Sequence, residues 1–201
     1  MLYFMKHYED AYAKANEVLS MIDYRYGQMI SISDILKTVE KITQIDIKFS
    51  EFDFSKLGNE KMRNVLSQCG AAMYISPENT ANREARILLN SKETPEMQRF
   101  SLVHEMGHIL LQNMQRVDDG YLVSAHINMD ITSIPEDRIS NNELLVAEQA
   151  ANIFALLVLI PYDALLKALK RYDSLEEVAK LFGVEKDAVI SRIMLGEKKG
   201  A

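Results

Sequence analysis

Residues 94 to 111 read Thr94-Pro95-Glu96-Met97-Gln98-Arg99-Phe100-Ser101-Leu102-Val103-His104-Glu105-Met106-Gly107-His108-Ile109-Leu110-Leu111. Thr94 is an N-cap type, Pro95 suits the first helical position and Glu96 puts an acid in the first turn, so a helix is predicted to begin here. Phe100, Val103, Gly107 and Leu110 recur at helical spacing, followed by Leu111. Inside that helix lies His104-Glu105-Met106-Gly107-His108, the H-E-x-x-H arrangement. A helix turns about 100° per residue, so positions i and i+4 share a face and both imidazoles can reach one ion. Glu105 would then stand beside the open position, able to take a proton from water. Bare matches to this pattern arise by accident, and two solvated histidines on a surface helix are the bland alternative. A strong apolar face around the motif counts against that alternative.

A catalytic zinc usually has three protein ligands and keeps its fourth position open. The third is expected at Glu148, in the run Ala147-Glu148-Gln149-Ala150-Ala151-Asn152-Ile153-Phe154-Ala155, which continues apolar through Ile160 to Pro161. A helix so apolar is mostly buried, and a buried carboxylate needs a partner. Glu148 and Asn152 stand i, i+4 on it, so Asn152 could orient a neighbouring ligand while Glu148 meets the ion. The alternative places Glu148 in exposed first turns, because Asn141, Asn142 and Glu143 also read as a helix start.

These two segments resemble the ImmA/IrrE-type metallopeptidases. Arg99 to Leu111 is close to that family's R-F-[ST]-x-x-H-E-x-G-H-x-L-L, and Glu148 to Ala155 with Pro161 is close to E-x-x-A-N-x-F-A…L-x-P. The resemblance spans roughly residues 60 to 195, with Gly70 to Met73 and Ile87 to Asn90 looking like the strands before the active-site helix. The stretch between His108 and Glu148 is long for compact members. The resemblance implies a zinc-dependent endopeptidase with a narrow substrate, a helix-turn-helix repressor whose cleavage relieves repression of a stress response or mobile element.

Composition fits this reading. A chain of 201 residues can bury a full core, and a formal net charge of −6 advertises neither a nucleic-acid surface nor affinity for anionic membranes. Cys69 is the only cysteine, so no internal disulfide forms and a reducing, cytoplasmic setting is expected. Met1 to Asp10 lacks the apolar stretch of a signal peptide, and Phe154 to Ile160 falls short of the ~20 residues that span a bilayer.

Helices are predicted over Ala11–Tyr26 and Ser33–Thr43, the second capped by Ser33 or Asp34. Ile45–Phe49, Ala71–Ile75 and Arg86–Leu89 read as strands of a small sheet beside the active-site helix. Tyr121 to Thr132 alternates apolar and polar residues, a half-buried strand. His126 falls on its polar face, where it either donates to a developing oxyanion or is a solvated edge-strand histidine. Tyr121 is a weaker candidate still, and His7 has no assigned role.

Ser174-Leu175-Glu176-Glu177 is a capping box, and the helix it opens turns at Gly183-Val184 into another over Asp187–Leu195. Ala179 and Gly183 have the spacing of helix-turn-helix units. A DNA reader needs a basic second helix, whereas Glu185, Lys186, Asp187 and Arg192 nearly cancel. The hairpin is therefore expected to close the core or form a partner groove.

The expected architecture is a mainly helical α+β chain. Residues 1–160 form a zincin-like domain with a small flanking sheet, and residues 161–201 a helical C-terminal subdomain. Zinc is expected on His104, His108 and Glu148, with Glu105 as the base. Two rivals stand: a zinc-containing regulator that inactivates a repressor by binding alone, and a DNA-binding regulator acting through the hairpin. Glu197–Ala201 reads as a frayed tail.

Overall fold

Strands Asp46–Phe52 (β1), Cys69–Ile75 (β2), Glu84–Asn90 (β3), Gln115–Arg116 (β4) and Leu122–Ile127 (β5) form one mixed sheet in the order β1-β3-β2-β5-β4. They come from a computed structural model that describes residues 2–77, 82–113, 115–116, 122–127 and 142–196. β1 runs parallel to β3 from Asp46 opposite Glu84, while β3, β2, β5 and β4 pair antiparallel in turn. The central strands bury Ala71, Met73 and Ile75 of β2 and Ala85, Ile87 and Leu89 of β3, the alternation of a sheet with one packed face. At the edge, β1 buries only Ile47, and Lys48 bridges Asp46 and Glu84.

The helices are Leu2–Ser20 (α1), Ile32–Thr43 (α2), Glu60–Leu66 (α3), Pro95–Leu111 (α4), Asn142–Leu159 (α5), Tyr162–Arg171 (α6), Leu175–Phe182 (α7) and Lys186–Leu195 (α8). The architecture is α+β and mostly helical, as the sequence suggests. α4 starts where Thr94 predicts, its hydroxyl accepting from Met97 N–H at 3.2 Å, and it stops at Gln112 in the left-handed region (φ 52°). α4 lies on the sheet, α5 packs along α4, and α1 covers α5. α5 is the central helix: Ala150, Ala151, Phe154, Ala155, Val158 and Leu159 are all fully buried.

Gly107 sets the distance between α4 and α5. A Cβ there would meet the Phe154 ring at 2.9 Å and the Ala151 Cα at 3.3 Å. Phe154 is itself fully buried and has nowhere to retreat. Gly107→Ala should therefore cost stability despite the better helix former, a net loss of up to about 2 kcal/mol after overpacking is set against propensity. A denaturant midpoint equal to wild type would contradict that packing argument.

Several boundaries differ from the sequence reading. The first helix runs Leu2–Ser20 rather than Ala11–Tyr26, since its buried row of Ala11, Ala15 and Val18 gives out and Gly27 then adopts φ +91°. The second helix is capped by Ser31, whose hydroxyl accepts from Asp34 N–H, and not by Ser33 or Asp34. α3 and α6 were not anticipated. Pro161 reads as a stop to α5, but its fixed φ suits the entry to α6 equally well. In the C-terminal pair, Ser174 caps α7 and Gly183 (φ 63°) ends it, with the Met29 side chain against the position a Cβ would take.

Residues on both sides of position 160 share one apolar cluster, from Ala11 and Val18 through Phe154 to Phe182 and Val189. Arg192 is buried too, at 2 % exposure. Its Nε donates to the Ile160 carbonyl at 3.0 Å and its Nη1 to the Gly196 carbonyl at 2.8 Å. Among the described residues, no single helix is long and apolar enough to cross a membrane.

Candidate metal centre

The close approach at Gly107 brings Glu148 and Asn152 of α5 against the two histidines of α4. His104 and His108 place their Nε2 atoms 3.0 Å apart. Glu148 reaches both, with Oε2 at 3.3 Å from His104 Nε2 and Oε1 at 3.2 Å from His108 Nε2. One ligand atom from each of the three residues falls within 4.8 Å of the others, a group that could hold a metal ion. His104 and His108 are sealed in at 0 % and 1 % exposure, whereas the Glu148 side chain is 24 % exposed. The exposed-first-turn alternative for Glu148 is not what the chain adopts: α5 does begin at Asn142, but the carboxylate turns to the histidines.

The outer nitrogens are also engaged. His104 Nδ1 lies 2.9 Å from Asn152 Oδ1, and His108 Nδ1 lies 2.7 Å from Asn113 Oδ1. An amide oxygen only accepts, so each Nδ1 carries the proton and donates, which leaves both Nε2 lone pairs facing inward. Two lone pairs and a carboxylate then converge with no donor among them. Such a set needs a proton or a cation at its centre, and imidazole nitrogen with carboxylate oxygen suits a divalent transition-metal ion, zinc among them. The residues present fit the metal.

The electrostatics agree. Burial alone would push the His108 imidazole down, but Glu148 beside it, helped by Glu105 and Asn113, outweighs that and raises it from the ordinary 6.5 to about 9. A folded value above the unfolded one gives the metal-free protein stability that is fully present below about pH 6.5 and is lost as pH rises through about 9. The Tm of chelator-treated protein should accordingly fall across that window relative to the zinc-loaded form. Zinc uptake near pH 7 should release about one proton, seen as a buffer-dependent binding enthalpy. A chelated protein whose Tm tracks the loaded one throughout would contradict this.

Glu105 lies between the histidines on α4, fully buried, with its charge felt at His108. Arg99, five residues before His104, donates to the Ile30 carbonyl and so ties α4 to the segment entering α2. Burial lowers its guanidinium to about 10.

The sequence around this site matches a known family. Peptidase_M78, the IrrE N-terminal-like domain, matches residues 64–194, more than half of the chain. The chain belongs to the Peptidase_M78 family. Metallopeptidase-type function comes with that membership, and the matched span includes His104, Glu105, His108 and Glu148. No curated protein matches the chain.

Within this Peptidase_M78 fold the structure brings together His104, Glu105, His108, Glu148 and Asn152 as the sequence grouped them. Asn113 was missed. Its only signal is position, five residues after His108 and just past the helix end, where an amide can meet a ligand's outer nitrogen. β5 carries His126 opposite Ala71 of β2, so the strand is present at that position. The His126 side chain, Tyr121 and residues 128–132 of that strand lie outside the described residues, as do most of the 112–142 connection and the Glu197–Ala201 tail.

Proposed function

We propose that this chain is a zinc-dependent endopeptidase that acts in the cytoplasm and cuts a helix-turn-helix transcriptional repressor at one or a few bonds. The observation that carries the hydrolytic part is the inward convergence of two imidazole Nε2 atoms and a carboxylate, with a second carboxylate, Glu105, buried beside them. Zinc held by His104, His108 and Glu148 would supply a Lewis acid for the scissile carbonyl and lower the pKa of water. Glu105 takes the proton from the attacking water and returns it to the leaving amine. Asn152 and Asn113 hold the imidazoles so that they present Nε2.

The substrate class rests on the resemblance to ImmA/IrrE-type enzymes. The C-terminal hairpin offers little to a DNA backbone. Arg192 is buried and gives its donors to two backbone carbonyls, and the exposed Lys186 is already neutralised by Glu176 at 2.9 Å, so the second helix carries little net positive charge for phosphate. Incubating zinc-loaded protein with a repressor encoded beside it should give one or a few discrete fragments, while casein is cut poorly. An intact repressor that nonetheless leaves its operator would replace the protease with a regulator that acts by binding.

A further inference from the structure

Asn113 touches two elements of the centre at once. Its Oδ1 meets His108 Nδ1 at 2.7 Å, and its Nδ2 donates to the Ala147 carbonyl at 3.2 Å. Ala147 directly precedes Glu148, so one side chain spans from a ligand on α4 to the backbone beside a ligand on α5. Gln112 in the left-handed region (φ 52°) ends α4 just before it. The chemistry of this bridge is directional. A backbone carbonyl has no proton to give, so the amide's NH2 must face Ala147 and its oxygen must face His108. The opposite orientation would set two oxygens against each other and leave the NH2 against His108.

We infer that Asn113 is a positioning residue for the metal centre: the Ala147 carbonyl fixes its amide, the amide fixes His108 with its proton on Nδ1, and Nε2 is thereby committed to the ion. This rests on the metal reading above and deepens it. The relay makes α5 a contributor to the ligand set twice, through the Glu148 carboxylate and through the Ala147 backbone acting on His108. It also explains how a buried histidine at the end of a helix keeps one ring orientation when the segment after Asn113 belongs to a long connection. Asn152 performs the matching contact for His104 from within α5.

The test uses the full chain, with zinc affinity read by competition against a chromophoric chelator. Nitrogen-labelled histidine NMR of the zinc-loaded protein supplies the second readout. In wild type, His108 should bind through Nε2 and show a slowly exchanging Nδ1 proton. Asn113→Leu, of similar size but unable to accept, should weaken zinc about 10- to 100-fold. It should also speed exchange of the His108 proton while the His104 proton, held by Asn152, stays slow. A folded Asn113→Leu with affinity within twofold of wild type, or with an unchanged His108 proton, overturns the inference. So does a wild type in which His108 binds zinc through Nδ1, whether or not the variant folds. Wild type that takes up no zinc would instead sink the metal reading itself.

Discussion

Glu105→Gln is expected to keep wild-type zinc content and lose at least about two orders of magnitude in hydrolysis, the usual worth of a positioned general base. The substitution is nearly isosteric at a side chain that is fully buried in the middle of α4, so it disturbs the packing least. An amide cannot take the proton from water, but it removes none of the three ligand atoms that converge from His104, His108 and Glu148. The loss should therefore fall on kcat, with repressor binding retained. If Glu105→Gln relieves repression as well as wild type and no fragment appears, catalysis is not the protein's work.

Alanine at any of His104, His108 or Glu148 should lower zinc content well below one per chain, and the three should not be equivalent in stability. His104 and His108 are fully enclosed, so their removal opens a polar void in the layer between α4 and α5. Glu148 is partly open to solvent and its loss leaves mainly an electrostatic defect. Breaking a buried hydrogen-bonded charge pair costs about 3 to 5 kcal/mol, with the partly exposed carboxylate expected at or below the lower end. Metal analysis after gel filtration, with denaturant melts of each variant, reads both effects. Full zinc in all three variants would remove these residues from the ligand set.

What could be read from the sequence was whatever a single helix encodes. H-E-x-x-H sits on one face of α4 because i and i+4 coincide, and its start followed from Thr94-Pro95. Glu148 and Asn152 were found by the same periodicity, their polar stripe being anomalous on so apolar a run. Asn113 could not be found this way: its meaning depends on the Ala147 carbonyl, 34 residues away along the chain. The burial of Arg192 is hidden for a related reason. A lone arginine on a short helix reads as surface charge, but here two backbone carbonyls and the face of Tyr162 take it inside. The order β1-β3-β2-β5-β4 is equally non-local, since alternation shows that a strand has one buried face but not which strand lies beside it.

The claim on which everything else depends is that His104, His108 and Glu148 jointly hold one zinc ion. Anomalous diffraction at the zinc edge, from crystals of the zinc-loaded chain, addresses it directly. The account predicts one strong peak about 2.0 to 2.2 Å from His104 Nε2, His108 Nε2 and a Glu148 oxygen, with Glu105 outside bonding distance. A peak bound to other residues, or through an Nδ1 atom, or none at all in zinc-loaded crystals, would contradict it.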